Sequence, residues 1–183
     1  MMNRTRRSKK DALIDASSAI LLYKAELLRI SCAAYRLMMT PSVYSETTVP
    51  EQPGAKTMRT LIQKEDGITL LSDPMDVCPT HKTTGMDRLH RGERDTLLHY
   101  LNGNARFVII DDGKGVQVCR RLQIPHVNAL LFPFLLYYFG FLSKKEAEHN
   151  FKRIQRMGRY STEVIQWAAH CTRTELGYFL DDD

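Results

Sequence analysis

The chain has 183 residues, of which 43% are hydrophobic and 26% charged, an ordinary balance for one soluble domain with a sizeable core. Four widely spaced cysteines without a Cys-x-x-Cys pair argue against a zinc site, and the lack of a signal-type apolar stretch favours the reducing cytoplasm. The net charge of +5 favours a polyanionic partner, although a solvated surface with excess Lys and Arg is the simpler explanation.

The first strand and helix follow a basic start. Residues 1–10 are predicted to form a disordered basic arm. The apolar segment "ALI" behind them is typical of a short strand that ends at Asp15. Ser17 or Ser18 is predicted to cap a helix that runs to about Ile30.

The second and third strands are predicted from two further apolar segments. The segment "YRLMM" precedes Thr40, which is placed to be an N-cap, and Pro41, which suits the first position of a helix. The segment "GITLLSDP" is a third strand candidate, and residues 75–85 are predicted to form a loop.

The second half of the core continues the alternation of strands and helices. The segment "GERDTLLHYLN" predicts a helix, "FVII" a fourth strand, residues 115–122 a short helix, and "IPHVN" a fifth strand. Residues 129–171 are predicted to be helical, with breaks near residues 140–143 and Gly158. The pattern predicts a three-layer α/β/α fold with a central parallel sheet of four to five strands and a helical C-terminal end.

The domain organisation follows from this order of elements. We expect an arm at residues 1–10, a catalytic core at residues 11–128, and helices at residues 129–183 that pack on the same domain. The apolar tract at residues 127–142 is shorter than the about 20 residues of a membrane span, and a proline and a glycine interrupt it. It is therefore interpreted as a buried helix or an oligomer face, and no membrane partner is expected.

Acidic residues recur where the predicted strands end. Asp15 ends the first strand, and Asp111 and Asp112 end the fourth. Glu46 lies on the helix after the second strand, and Glu93 opens the helix that leads into the fourth. Because ligands of open parallel sheets bind outside the carboxyl ends of the strands, these carboxylates are expected to share one site.

Each of these acids also has a structural explanation on its own. Asp15 and Asp112 are placed to be helix caps, Glu93 suits the first turn of a helix, and Glu46 suits an exposed helix face. Asp95 is predicted to be more exposed than the others. Several carboxylates at one edge repel one another unless a cation neutralises them, and oxygen ligands favour Mg²⁺ or Mn²⁺.

A carboxylate-bound divalent ion suits phosphodiester hydrolysis. The ion lowers the pKa of a bound water and neutralises phosphate charge, while one carboxylate acts as general base. Basic residues near the acids in sequence are candidates for contacts with a nucleic-acid backbone, although each alone is explained as an ordinary surface residue. The predicted contacts are Arg91, Arg94, Lys114 and Arg120.

The ordered segments "LIDASS", "TPSVYSE", "RGERDTLLHYL" and "FVIIDD" resemble the PIN-domain nucleases, and most closely the prokaryotic branch of VapC-like toxins. The resemblance covers residues 12–126. It implies a ribonuclease that uses Mg²⁺ or Mn²⁺, with Asp15, Glu46, Glu93 and Asp112 as catalytic residues. The implied metal ligands are Asp15, Glu93, Asp111 and Asp112.

The resemblance leaves two questions open. Asp112 fits the family's last acidic position better than Asp111, which assists the metal or caps a helix. The protein is expected to cut RNA in the cytoplasm as a homodimer, with an antitoxin protein as partner if it is a toxin. The alternative is a non-catalytic PIN-like module that only binds RNA or a protein.

Overall fold

A central sheet organises the fold. A computed structural model of the chain describes residues 9–73 and 85–180. Within them, five strands pair in parallel in the order β3-β2-β1-β4-β5, which confirms the predicted sheet. The strands are β1 (Asp11–Ile14), β2 (Arg36–Met39), β3 (Thr69–Leu70), β4 (Phe107–Ile109) and β5 (His126–Val127). The loop predicted at residues 75–85 lies, apart from Gly85, outside the described residues, as do residues 1–8 of the predicted arm.

Helices cover both faces of this sheet, which confirms the three-layer α/β/α prediction. The helices of the described residues are α1 (Ala16–Lys24), α2 (Leu28–Ala34), α3 (Pro41–Thr47), α4 (Ala55–Ile62), α5 (Arg91–Leu101), α6 (Gly113–Arg121), α7 (Phe132–Tyr138), α8 (Lys144–Met157) and α9 (Thr162–His170). Short 3-10 turns occur at Met86–Arg88, Ala129–Leu131 and Gly177–Phe179. The helical breaks predicted near residues 140–143 and Gly158 are both present.

Alternate strand residues point into two separate hydrophobic cores, as the period of a strand requires. Leu13 of β1 and Val108 of β4 pack in the smaller core, together with Leu97 of α5 and Val118 of α6. Their neighbours on the strands enter the larger core. That core includes Ile14, Ile109, Leu22, Leu28, Val43, Met58, Leu135 and Ile154, which come from both sheet and helices. The sheet is therefore buried on both faces.

The single helix predicted to reach Ile30 is in fact two helices. Glu26 has a φ of 64°, in the left-handed region where a right-handed helix cannot continue. The Leu27 N–H then donates to the Leu22 carbonyl (2.8 Å), which closes the end of α1. The turn buries Leu27 and Leu28 to 2% exposure each, and this burial stabilises a conformation that Glu26 by itself disfavours.

The C-terminal helices pack on the core of the sheet. The ring of Tyr35 lies 5.4 Å from that of Phe107 and 5.3 Å from that of Phe139, both in edge-to-face contact. Its hydroxyl donates to the Phe179 carbonyl (2.9 Å). Leu136, within the apolar tract at residues 127–142, is fully buried. None of the helices in the described segments has the length and apolar character needed to cross a bilayer.

The order of the strands reverses between β1 and β4. The chain continues from β1 towards β2 on one side, and from β4 towards β5 on the other. The Asp15 N–H still donates to the Ile109 carbonyl (3.0 Å), so the two strands stay paired to their ends. In open parallel sheets such a switch point creates a crevice outside the carboxyl ends of the strands. We call this side of the sheet the carboxyl edge.

Candidate active site

Two carboxylates lie deepest at the carboxyl edge, and we call Asp15 and Asp111 the inner pair. They follow the neighbouring strands β1 and β4. Ser18, in the first turn of α1, connects them: its N–H donates to Asp15 Oδ1 (2.7 Å), and its hydroxyl donates to Asp111 Oδ2 (2.7 Å). One residue therefore fixes the position of both acids.

Asp15 is the N-cap of α1, where Ser17 or Ser18 was predicted. The prediction of a serine cap was wrong, and the alternative that Asp15 is the cap is confirmed: the Asp15 carboxylate accepts the Ser18 N–H, while the Ser17 hydroxyl donates to Asp15 Oδ2 (2.7 Å). Asp15 is only 2% exposed. Burial first, and the charge of Asp111 second, raise its pKa to about 7, although the two serines act in the opposite direction.

Asp111 accepts hydrogen bonds from three separate parts of the chain. Besides Ser18, the Ala129 N–H donates to its Oδ2 (2.9 Å), and the Tyr160 hydroxyl donates to its Oδ1. Burial raises the pKa of Asp111, and these three donors partly oppose that rise. Of the two roles considered for Asp111, the helix cap belongs to Asp112, whose Oδ1 accepts the Lys114 N–H at the start of α6 (2.8 Å).

Three more carboxylates form an outer trio, which we define as Glu46, Glu93 and Asp112. Glu93 is half-buried in the first turn of α5 and accepts the His90 N–H (3.2 Å). Burial first, then the charge of Asp112 and a hydrogen bond with it, and finally the charge of Glu46 raise the pKa of Glu93 to about 7. Asp112 and Glu46 are therefore close enough to Glu93 to disfavour its ionisation.

A glycine makes room for the third member of the trio. Glu46 is exposed on α3, and a Cβ added to Gly92 of α5 would lie 2.7 Å from its Oε1. The glycine before Glu93 therefore lets the Glu46 side chain lie against the start of α5. The sequence shows that a glycine precedes Glu93, but the reason for it is a contact between α3 and α5 that the sequence does not reveal.

Asp95 was predicted to be exposed and is buried to 4% exposure. The buried face of α5 is wider than a row of leucines, because it includes Thr96 and His99 as well as Leu97. Asp95 Oδ2 lies 3.5 Å from Arg91 Nε, and its Oδ1 lies 3.8 Å from Arg94 Nε. Two of the predicted RNA-contacting arginines therefore already lie beside a carboxylate of their own helix.

The acids at the carboxyl edge have the ligand chemistry of a site for a divalent ion. Among residues 9–73 and 85–180, no three His, Cys, Asp or Glu side chains converge closely enough to form a metal site by themselves. Mg²⁺ commonly needs only one or two carboxylates, with water and substrate phosphate as its other ligands. The inner pair and the trio each supply that number, all donors are oxygen, and three of the five carboxyl groups have a raised pKa. The residues present therefore fit Mg²⁺ or Mn²⁺.

The structure places the acids that the sequence singled out in two groups, Asp15 with Asp111 and Glu93 with Asp112 and Glu46, and it also adds residues that sequence reasoning missed. Tyr160 lies 49 residues after Asp111 in the chain, on the short link between α8 and α9. No local pattern marks it, because its role comes from the packing of α8 on the sheet. The role of Ser18 was underestimated in the same way, since a serine after a strand signals only a cap.

Comparison with known families gives an independent result. The DUF3368 family model, described as a PIN domain, matches residues 11–173. Comparisons with curated proteins and with solved structures gave no significant match. PIN domains are usually nucleases and generally use divalent metal ions. Since the matched region covers almost the whole chain, the chain belongs to the PIN-domain family.

Proposed function

We propose that the protein is an endoribonuclease that hydrolyses RNA phosphodiester bonds with Mg²⁺ or Mn²⁺. The observation that carries the proposal is the grouping of acids beside the switch point of the sheet, Asp15 with Asp111 and Glu93 with Asp112 and Glu46. Neighbouring carboxylates that raise the pKa of Asp15 and of Glu93 favour binding of a cation, because the cation relieves their repulsion. A site of this kind suits a phosphate substrate, which supplies further oxygen ligands.

In this proposal the two groups of acids have different tasks. When bound, the ion acts as a Lewis acid on water and on the phosphate oxygens. Asp15 and Asp111 hold it, and Ser18 and the Tyr160 hydroxyl fix the orientation of the pair. Glu93, with a pKa of about 7, accepts the proton of the attacking water near neutral pH. Hydrolysis leaves a 5′-phosphate and a 3′-hydroxyl.

The test is cleavage of end-labelled RNA, with Mg²⁺, with Mn²⁺ and with EDTA. We expect cleavage by the wild type in either metal, none in EDTA, and a large loss in Asp15→Asn and in Glu93→Gln. The matched control is Glu65→Gln, which removes an exposed acid from the turn that leads into β3. Equal activity in all four proteins, or cleavage that persists in EDTA, would contradict the proposal.

One observation favours a second candidate, a PIN-like module that binds RNA or a protein without cutting. Asp15, Asp111 and Asp112 all accept hydrogen bonds from the protein itself, so each has a structural use without a metal. Calorimetry with Mn²⁺ separates the two functions. Equal Mn²⁺ binding by the wild type and by the Asp15→Asn/Asp112→Asn double variant would reject the metal site. RNA that stays intact across substrates and both ions would then support the binding module.

The narrower proposals follow the resemblance to VapC-like toxins. As a toxin, the protein would act in the cytoplasm, and an antitoxin protein would cover the carboxyl edge. A neighbouring upstream gene for a small DNA-binding protein would support this role, and growth arrest on expression that the neighbour relieves would test it. A homodimer is also proposed, and a monomer by light scattering at micromolar concentration would reject it.

A further inference from the structure

Helix α8 carries basic side chains along a single exposed line. Lys145, His149, Lys152 and Arg156 are all exposed and recur at i, i+4, i+7 and i+11, which places them on one face of a helix. We call these four residues the α8 stripe. The opposite face of α8 is apolar and enters the larger core through residues such as Ile154. The stripe is therefore the solvent face of a helix fixed on the sheet.

The acids on α8 leave most of this face positive. Glu146 turns back to the start of the helix, where its Oε2 accepts the Ser143 N–H (2.7 Å). Glu148 is exposed and borders the stripe on one side. From Lys145 to Arg156 the stripe is about 16 Å long, at a rise of about 1.5 Å per residue, which matches several phosphates of a nucleic-acid strand.

The stripe ends at a cavity that opens beside the acids. The segment after α8, including Arg159 and Tyr160, forms one wall of this cavity of about 450 Å³. The other wall includes Ser17, Asp111 and Asp112. The cavity therefore joins the C-terminal end of α8 to Asp111 of the inner pair and to Asp112 of the outer trio.

The lining of the cavity suits one nucleotide. Ile20 and Leu21 of α1 and Met157 of α8 provide an apolar surface for a base, and Met157 is 38% exposed. Arg159 is exposed at the same cavity, where its guanidinium is suited to a phosphate. The volume of the cavity falls within the range of small-molecule sites, about 300–1,000 Å³.

We infer that the α8 stripe and this cavity form the binding track for the RNA strand on one side of the scissile phosphate, with one nucleotide seated in the cavity. The inference rests on the proposed function for the identity of the cleaved strand. It differs from the contacts predicted from sequence, since Arg91 and Arg94 lie beside Asp95 on the other layer of helices.

The first experiment measures binding without cleavage, by fluorescence anisotropy of labelled single-stranded RNA in EDTA at several salt concentrations. The stripe variant is Lys145→Ala/Lys152→Ala/Arg156→Ala. The matched control, Arg29→Ala/Lys56→Ala/Lys64→Ala, removes three exposed charges from segments that lead into β2 and β3. We expect the stripe variant to lose affinity and to lower the salt slope by about 2, since each single-strand phosphate contact contributes about 0.7. The control should leave both unchanged.

A third variant, Arg91→Ala/Arg94→Ala/Arg120→Ala, compares the two basic surfaces directly. An equal loss in the control, or a larger loss in this variant than in the stripe variant, would overturn the track. Absence of RNA binding by the wild type would also overturn the track. Melting temperatures of all variants establish that each protein is folded.

The second experiment measures the cavity by steady-state cleavage of the same RNA in Mn²⁺. Arg159→Ala and Met157→Ala are expected to raise KM several-fold and leave kcat unchanged, since neither touches the acids in the structure. An unchanged KM in both would overturn the cavity assignment. Failure of the proposed function has a different signature: RNA binds through the stripe, but wild-type protein does not cleave it in either metal.

Discussion

The inner pair and the outer trio lie at one edge of the same sheet in opposite surroundings. The inner pair is held by α1, by the turn after β5 and by the link between α8 and α9, so its orientation is set by three distant parts of the chain. The trio lies at the start of α5 and α6 and on the exposed face of α3. The first group is therefore preorganised, whereas the second includes an exposed member, Glu46.

The difference matters because the two arrangements respond differently to substitution. Removing a donor from the inner pair alters the orientation of an acid that has little room to adjust. Removing a charge from the trio alters mainly the pKa of Glu93, through its neighbours Asp112 and Glu46. The following variants separate orientation from ionisation.

The largest effect is expected from Glu93→Gln. The substitution removes the proposed general base and keeps its shape, so kcat is expected to fall by about 100-fold or more. In the wild type, kcat should rise with pH through the neutral range as Glu93 loses its proton, and the variant should lose this rise. The measurement is kcat from pH 5.5 to 8.5. A variant with the wild-type pH profile would transfer the role of base to another group.

Tyr160→Phe probes the orientation of the inner pair. It removes one hydrogen bond to Asp111, and we expect an about tenfold loss of Mn²⁺ affinity and of cleavage, as for other residues that orient metal ligands. Calorimetry measures the affinity. The matched control is Tyr178→Phe, because the Tyr178 hydroxyl donates to the Arg106 carbonyl at the start of β4, at the amino end of the sheet. Equal losses in the two variants would reduce Tyr160 to a packing residue.

The pH dependence of stability separates the buried acid from the exposed ones. Asp15 has a pKa of about 7 in the folded protein, against 3.8 for an aspartate side chain free in water, so between these values the folded state holds more protons than the unfolded state. Its contribution to the free energy of unfolding therefore falls as pH rises from about 4 to about 7.

We expect the metal-free Tm to fall by about 5 °C from pH 5 to pH 8 through this group, and Asp15→Asn to reduce the fall. Mn²⁺ should raise the Tm more at pH 8 than at pH 5, because the ionised pair binds the ion. Differential scanning calorimetry gives all of these values. A wild-type Tm that rises over this range in EDTA, with Asp15→Asn showing the same slope, would contradict the assignment.

The smallest effect is expected from Gly92→Ala. The added methyl group meets the flexible end of Glu46, which can move, and alanine favours the helix by up to about 1 kcal/mol. The Tm should therefore stay level or rise, while cleavage falls slightly as Glu46 moves away from Glu93. The control is Gly113→Ala at the start of α6, where a methyl group meets nothing within 4 Å. A fall in Tm with unchanged cleavage would remove Glu46 from the trio.

The strands and the acids at their ends were predictable from the sequence because their signals are local. The segments before Asp15 and Asp111 are short apolar runs, and parallel strands bring their carboxyl ends to one edge. The helical break near Gly140 was also predictable, because a glycine often ends a helix. Gly140 has a φ of 77°, a value that few other residues adopt readily.

The missed features depend on contacts between distant parts of the chain. Glu26 ends α1 without a glycine because the turn buries Leu27 and Leu28, which no local pattern specifies. Asp95 is buried because the packed face of α5 includes Thr96 and His99 as well as Leu97. The packing of α8 places Tyr160 beside Asp111 and brings the end of the α8 stripe to the cavity that Asp111 and Asp112 line. Propensity and spacing do not encode such distances.

The contact between Tyr160 and Asp111 also has a consequence for synthesis of the protein. Chains fold from the N-terminus as they leave the ribosome, and the strands of the sheet are complete by Val127. A nascent chain of that length already carries all five acids but not the hydroxyl that orients Asp111. The last donor to the inner pair is therefore synthesised after the five strands, and the hydrogen bonds of the pair are complete only once the chain has been made through Tyr160.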